Sequence, residues 1–350
     1  MDREQEDLPF LGFFGLFKES FNIVFSWRRI LSTITLILLF PFSVVVVGRH
    51  IQLCEPLFFE FMQDQLEALN YSSISHEDTG FYTKILEMLS KEWTTGFWFS
   101  IVFMFPFLLF TSIFSTAAVV YTIASIYAST AEDITFKRAQ AFANKVWKRL
   151  LVTFLWSFAV VLVYNLVSRA ALFLWLRFFG LNDRIGIAIF VVLMLLYLSG
   201  FVYITIIWQL ATVVSVLEDV NGIKAIVKSK GLIKGKTGPA VAIFFTLAVF
   251  RIGVQLLYEH LYVREIIVSQ NLGVIMVVPL IYLCGLILAT VFLFGLVLQT
   301  LLYLVCKSYH HENMDKSSLA NYLEVSLEDQ EYLSFKAQDV RPTSKGEFDV

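Results

Sequence analysis

The stretch Gly231-Leu232-Ile233-Lys234-Gly235-Lys236-Thr237 comes closer than any other in this chain to a phosphate-cradling loop. Such a loop needs a glycine, four residues, and then Gly-Lys-Ser or Gly-Lys-Thr, so that backbone N–H groups surround the phosphate. Here Lys230 stands where the leading glycine belongs, no strand pattern precedes it, and Pro239 opens a long apolar run. Nucleotide binding is therefore not expected. His50, His76, His260, His310 and His311 have neither the H-E-x-x-H spacing of a zinc protease nor a neighbouring nucleophile pattern. Cys54, Cys284 and Cys306 show no paired and no metal-ligand spacing. These residues predict no enzyme activity, no cofactor and no metal.

The other ionisable residues of interest lie inside apolar runs. None of those runs contains an Asp or a Glu, so the paired aspartates of intramembrane proteolysis are missing. Carriers of cations commonly hold them on intramembrane carboxylates or unwound helices, so a cation transporter is also disfavoured. What the runs do hold is Arg169 and Arg251, with Asn165, Gln209, Gln255 and Gln299. Asn165 and Arg169 share a helix face, as do Arg251, Gln255 and Glu259. Arg169 follows Arg149 by 20 residues, as Arg49 follows Arg29, and this places it near the far end of its span. Arg251 is deeper, and a structural pair with Glu259 or another helix is the favoured expectation, with a facing anion as the alternative.

Composition fixes what positions these residues. A hydrophobic content of 57%, a mean hydropathy of +0.71 and only 16% charged residues lie outside the range of soluble domains. About 20 apolar residues cross a hydrocarbon core roughly 30 Å thick. Six runs qualify: 30–48, 94–127, 150–176, 185–216, 238–258 and 272–306. The even-numbered runs are longer than a span needs, which predicts tilt, protrusion, or kinks at Pro106 and Pro279. The fold class is all-α, a polytopic bundle of six spans built as three repeated hairpins.

A basic amphipathic segment precedes each hairpin. The clearest runs from Phe136 to Arg149, with Phe136, Ala139, Ala143, Val146 and Leu150 at helical spacing and a Ser129-x-x-Glu132 capping signature before it. In the first, Phe10, Phe13, Phe14, Phe17, Phe21, Val24 and Phe25 form one stripe, with Lys18, Asn22, Ser26 and Arg29 opposite. The third runs from Ile223 to Lys236. Such helices lie in the membrane interface, aromatics among acyl chains and cations near anionic headgroups. Lys137, Arg138, Lys145, Lys148 and Arg149 are the candidate lipid-binding residues. Setting topology alone, or docking a cytosolic protein, are the other readings of the same charges.

With the N-terminus in the cytosol, nineteen Lys and Arg fall on the cytosolic side and six outside, the positive-inside pattern. The chain then divides into a cytosolic segment 1–29, a transmembrane domain 30–306 and a cytosolic, mostly disordered acidic tail 307–350. Loop 49–93 is exterior, and basic segments 128–149 and 217–237 are cytosolic. Asn70-Tyr71-Ser72 is a glycosylation sequon on the exterior side, making Asn70 a predicted glycan site. The acidic start lacks the short apolar core of a cleavable signal peptide, so run 30–48 reads as a retained anchor.

The tail carries Tyr322-Leu323-Glu324-Val325 and Tyr332-Leu333-Ser334-Phe335, both fitting the tyrosine-x-x-bulky pattern read by vesicle adaptors. Packing of a few tail residues back on the basic segments is the alternative. Cys306, at the end of the last run, is either a palmitoylation site or an ordinary apolar residue. The segment Lys307-Ser-Tyr-His-His-Glu-Asn-Met-Asp-Lys-Ser-Ser-Leu319 with Tyr322-Leu-Glu-Val, after six spans with repeated basic feet, resembles a plant family of uncharacterised multi-pass membrane proteins over essentially the whole chain. More distantly, the hairpins resemble the membrane region of bacterial glycerophosphodiester phosphodiesterases, whose catalytic domain this chain lacks. The resemblance implies plasma-membrane or endomembrane residence and links to stress or defence, and no catalytic residues.

The expected function is that of a non-enzymatic integral membrane protein organising lipid or protein partners at its cytosolic face. The alternative is a transporter or channel for an anionic or amphipathic small molecule. Membrane lipids, anionic ones above all, are the expected partners, and no nucleic acid is.

Overall fold

The computed structural model describes residues 12–47, 104–128, 134–178, 184–268, 273–310 and 321–323. Asn70, the rest of loop 49–93, Cys54, the Ser129–Asp133 capping signature and Tyr332 lie outside them. Among the described residues every regular element is helical. In chain order these are α1 (Phe13–Ser26), α2 (Arg28–Val47), α3 (Phe105–Tyr127), α4 (Phe136–Phe178), α5 (Arg184–Leu217), α6 (Gly222–Leu232), α7 (Thr237–Val268) and α8 (Gly273–Tyr309). The six helices α2, α3, α4, α5, α7 and α8 are long and apolar enough to cross a membrane. The chain is thus a multi-pass membrane protein by helix length and composition.

Among the described residues a π turn and two prolines mark the spans. A π turn occupies Thr35–Leu39 inside α2, a feature that no residue type in that run signals. Pro106 is the second residue of α3. Pro279 lies inside α8, which continues through it to Tyr309.

The residues form two compact units, one of Met1–Ile34, Ile113–Phe250 and Val291–Val350, the other of Thr35–Ser112 and Arg251–Thr290. In the first unit α4, α5 and α6 pack on one another, α1 packs on α2, and the start of α2 reaches α4. Its core gathers Ala117 to Ala124 of α3, Ala139 to Leu150 of α4, Leu210 to Leu217 of α5 and Val297 to Cys306 of α8. This accounts for the long even-numbered runs: one stretch of each is exposed apolar surface, and the other is buried among protein. Leu155, Leu162, Val163, Leu166, Leu195, Leu196 and Leu198 of the same unit are exposed, as a lipid-facing hairpin requires. That hairpin, α4 with α5, is fastened by stacked Tyr164 and Tyr197 rings 5.8 Å apart and by the Trp175 indole N–H donating to the Gly186 carbonyl at 3.0 Å. In the second unit Leu39, Val47, Tyr258, Cys284, Leu288 and Ala289 are buried, and Phe40 meets Tyr282 at 6.0 Å.

The structure corrects the expectation that the second basic segment lies on a bilayer surface. It is not a separate helix: α4 runs through it unbroken for 43 residues, about 65 Å at 1.5 Å per residue. Of its predicted stripe, Ala139, Ala143, Val146 and Leu150 are fully buried and Phe136 is half-buried, while Phe142, outside that stripe, is also buried against Tyr121 of α3 at 5.0 Å. Small side chains on this stripe let neighbouring backbones approach, so protein and not lipid covers it.

Candidate functional site at the basic end

The three basic segments and the end of α8 belong to the same unit, and a polar cluster joins the second and third segments to α8 and Tyr322. It is built on Glu218 and Asp219, which follow α5 directly. The Glu218 side chain is only 11% exposed. Lys307 of α8 reaches its Oε1 at 2.8 Å, the Tyr303 hydroxyl donates to the same oxygen at 2.7 Å, and Lys228 of α6 reaches Oε2 at 2.7 Å. Burial pushes the Glu218 carboxyl up, but the bonds from Lys228, Lys307 and Tyr303 outweigh it and hold the group below its ordinary value. One carboxylate thereby ties α5, α6 and α8 together.

Asp219 beside it is exposed and pairs with the Arg149 guanidinium of α4. The other guanidinium nitrogen, Nη2, donates to the hydroxyl of Tyr322 at 2.7 Å, and that hydroxyl donates in turn to the Val216 carbonyl at 3.4 Å. Leu323, next in the chain, is 2% exposed. Deeper, Thr153 of α4 shares a hydrogen bond with Ser215 at 2.7 Å and accepts the Gly222 N–H at 2.9 Å. Gly222 has φ of +59°, and a Cβ there would stand 3.0 Å from the Trp156 ring, so the entry to α6 requires glycine.

The phosphate-loop look-alike is structural, as its spacing predicts. Gly231 is inside α6, and the N–H groups of Ile233, Lys234 and Lys236 already bond to the carbonyls of Ser229, Gly231 and Ile233. Gly235, at φ +90°, packs its bare α-carbon against the Tyr309 ring, over which Lys236 Nζ lies at 5.1 Å. His310 Nε2 sits 3.1 Å from both the Leu232 and Lys234 carbonyls, closing the end of α6.

The five candidate lipid-binding residues divide. Lys137, Arg138 and Lys148 are exposed, and Lys145 is half-buried. Arg149 is taken by Asp219 and Tyr322, so it belongs to the cluster. Arg169 is exposed, while Asn165 bonds to Tyr197 at 3.1 Å and to the Val161 carbonyl. Arg251 is exposed and has no ion pair with Glu259, which instead accepts from Gln255 at 3.5 Å. Of the two pairings expected for Arg251, the one with Glu259 is therefore not formed. Its neighbour two turns away is within reach of Gln255 first, and a long arginine on an open face can extend toward the interface. Cys306 is fully buried among the core residues at the end of α8, as the reading of an ordinary apolar residue expects.

Among the described residues the buried polar side chains, tyrosine aside, are all Ser or Thr. Many of them bond to a carbonyl one turn back in their own helix, as Ser20 does to Leu16, Ser43 to Leu39, Thr122 to Ala118 and Thr300 to Leu296. Between helices, Gln299 of α8 donates to Thr212 at 2.7 Å and to the Gln209 carbonyl of α5. These hydroxyls satisfy backbone; they do not present charge to a passing ion.

The remaining surface of interest is α1. Leu16, Ser20 and Ile23 hold it against protein, while Phe14 is 85% and Phe25 70% exposed, and Lys18 and Asn22 are exposed beside them. Phe21 also leans on Phe294 of α8 at 4.8 Å. This helix thus has one edge for protein, one for an apolar phase and one for water or headgroups.

A fold and a basic end of this kind define a polytopic helical membrane protein. The chain belongs to the family described as "Domain of unknown function (DUF8558)", whose model matches residues 1–344. No curated protein and no solved structure matches it.

Proposed function

We propose that this is a non-enzymatic integral membrane protein that organises anionic lipid at its cytosolic face. The observation that carries the reading is α1, whose exposed Phe14, Phe21 and Phe25 flank an exposed Lys18 while Leu16, Ser20 and Ile23 anchor it to the bundle. A helix so held presents aromatics to acyl chains and cations to headgroups. Lys137, Arg138 and Lys148 add to the same field. In this reading both termini are cytosolic, Asn70 is exterior, and the protein resides in the plasma membrane or an endomembrane. The likeness to plant multi-pass proteins, and the more distant one to the phosphodiesterase membrane region, belong to the same proposal. Core hydroxyls such as those of Ser20, Ser43, Thr122 and Thr300, bonded within their own helices, favour it over a conduit.

The test is lipid selectivity of the purified protein in mixed vesicles, read with spin-labelled phosphatidylserine against phosphatidylcholine. Each cation near an anionic surface contributes about 1 kcal/mol. Combined Lys18→Gln, Lys137→Gln, Arg138→Gln and Lys148→Gln substitution should abolish the preference, and raising salt should weaken it in the wild type. A preference equal to that of the wild type in a folded variant would refute the reading.

A further inference from the structure

Tyr322 opens a tyrosine-x-x-bulky motif that ends at Val325, and the structure holds that tyrosine fast. Residues 321–323 form a short helical turn, the Tyr322 hydroxyl is engaged by Arg149 and by the Val216 carbonyl, and Leu323 is buried. Arg149 is itself oriented by Asp219, so its guanidinium is set in place to receive the phenol. A ring whose hydroxyl is bonded here and whose neighbour is buried cannot occupy a pocket on another protein at the same time.

We propose that this strap is an autoinhibitory contact: the bundle masks a tyrosine-based motif for a vesicle adaptor, and release of residues 321–323 from Arg149 exposes it. The competition is intramolecular, so docking scales down the apparent affinity of the partner by the fraction of chains in which the strap is free. One charge-assisted hydrogen bond together with one buried leucine corresponds to masking on the order of ten- to a hundred-fold. Adaptor access in a cell rests on the cytosolic placement of the tail proposed above; the lipid reading does not enter.

The experiment uses the full chain in nanodiscs, which leave both faces open, so its outcome depends neither on orientation nor on lipid preference. The probe is the purified tyrosine-motif-binding subunit of a vesicle adaptor. Wild type should bind weakly. Leu323→Asp, which cannot keep a charge in the buried position and leaves Tyr322 and Val325 intact, should bind about ten-fold tighter or more. Arg149→Gln should do the same by another route, and Leu323→Asp combined with Tyr322→Ala should bind no better than background. Equal binding by wild type and both release variants would overturn the masking, and no binding by any of them would overturn the motif.

Discussion

The first and second basic segments are written alike, apolar stripe on one side and cations on the other, and the fold treats them in opposite ways. In α1 the phenylalanine edge stays open and a different edge, Leu16, Ser20 and Ile23, meets protein. In α4 the predicted stripe is buried from Ala139 to Leu150, only Phe136 at its start being half-buried, with Ala139 and Ala143 allowing the close approach that seats Phe142 on Tyr121. Amphipathicity states that a helix has an apolar face; it does not state which apolar phase covers it. Side-chain size contributes to the difference: Ala139 and Ala143 admit a neighbouring helix, whereas Phe14 and Phe25 remain exposed and only Phe21 of that edge leans on α8.

Truncating the two stripes breaks the comparison most sharply. Phe142→Ala should cost about 3–5 kcal/mol of unfolding free energy, because a fully buried ring leaves a cavity among packed helices. Thermal unfolding in a fixed detergent reads this directly, and a loss under about 1 kcal/mol would return the second segment to the bilayer surface.

The Glu218 cluster gives the next largest effect, since it fastens the third segment through a charge and not through a stripe. Glu218→Gln should destabilise by about 2 kcal/mol near neutral pH, the range of hydrogen bonds to a charged group. Because the Glu218 carboxyl is held below its ordinary 4.5, its contribution is complete above that value. It is lost as pH falls through the lowered value. An unfolding series across acid pH should therefore show a limb in the wild type that is shallower in the Gln variant. Identical limbs would mean that the carboxylate is not held by Lys228 and Lys307 in solution.

The smallest effect completes the contrast. Phe14→Ala and Phe25→Ala should each change unfolding by no more than about 0.5 kcal/mol, the usual range for exposed positions. Both should nevertheless reduce quenching of Trp27 by brominated acyl chains, because they remove the side chains that draw α1 into that phase. Large destabilisation by either would mean that the open edge of α1 is covered by protein.

Much of the architecture is legible without coordinates. The six spans, expected at runs such as 150–176, 185–216 and 272–306, contain the apolar stretches of α4, α5 and α8 almost end to end. The phosphate-loop look-alike at Gly231 is rejected from spacing alone, and the structure places it in a helix end. The Glu218 cluster is not legible, because Lys228, Tyr303 and Lys307 are brought to it from up to 89 residues away. Nor is the seat of Tyr322 on Arg149, 173 residues apart, although the motif that begins at Tyr322 stands out in the tail.

Sequence by itself determined that this chain is helical and bilayer-spanning, since only long apolar runs with satisfied backbones can cross hydrocarbon. It determined as well that positive charge gathers in the segments between spans. Tertiary structure decided which apolar edges lie in protein, which cations are exposed and that Arg251 stands apart from Glu259. Periodicity along one helix records that a face is apolar or charged, whereas its partner depends on the size and position of groups arriving from elsewhere in the chain.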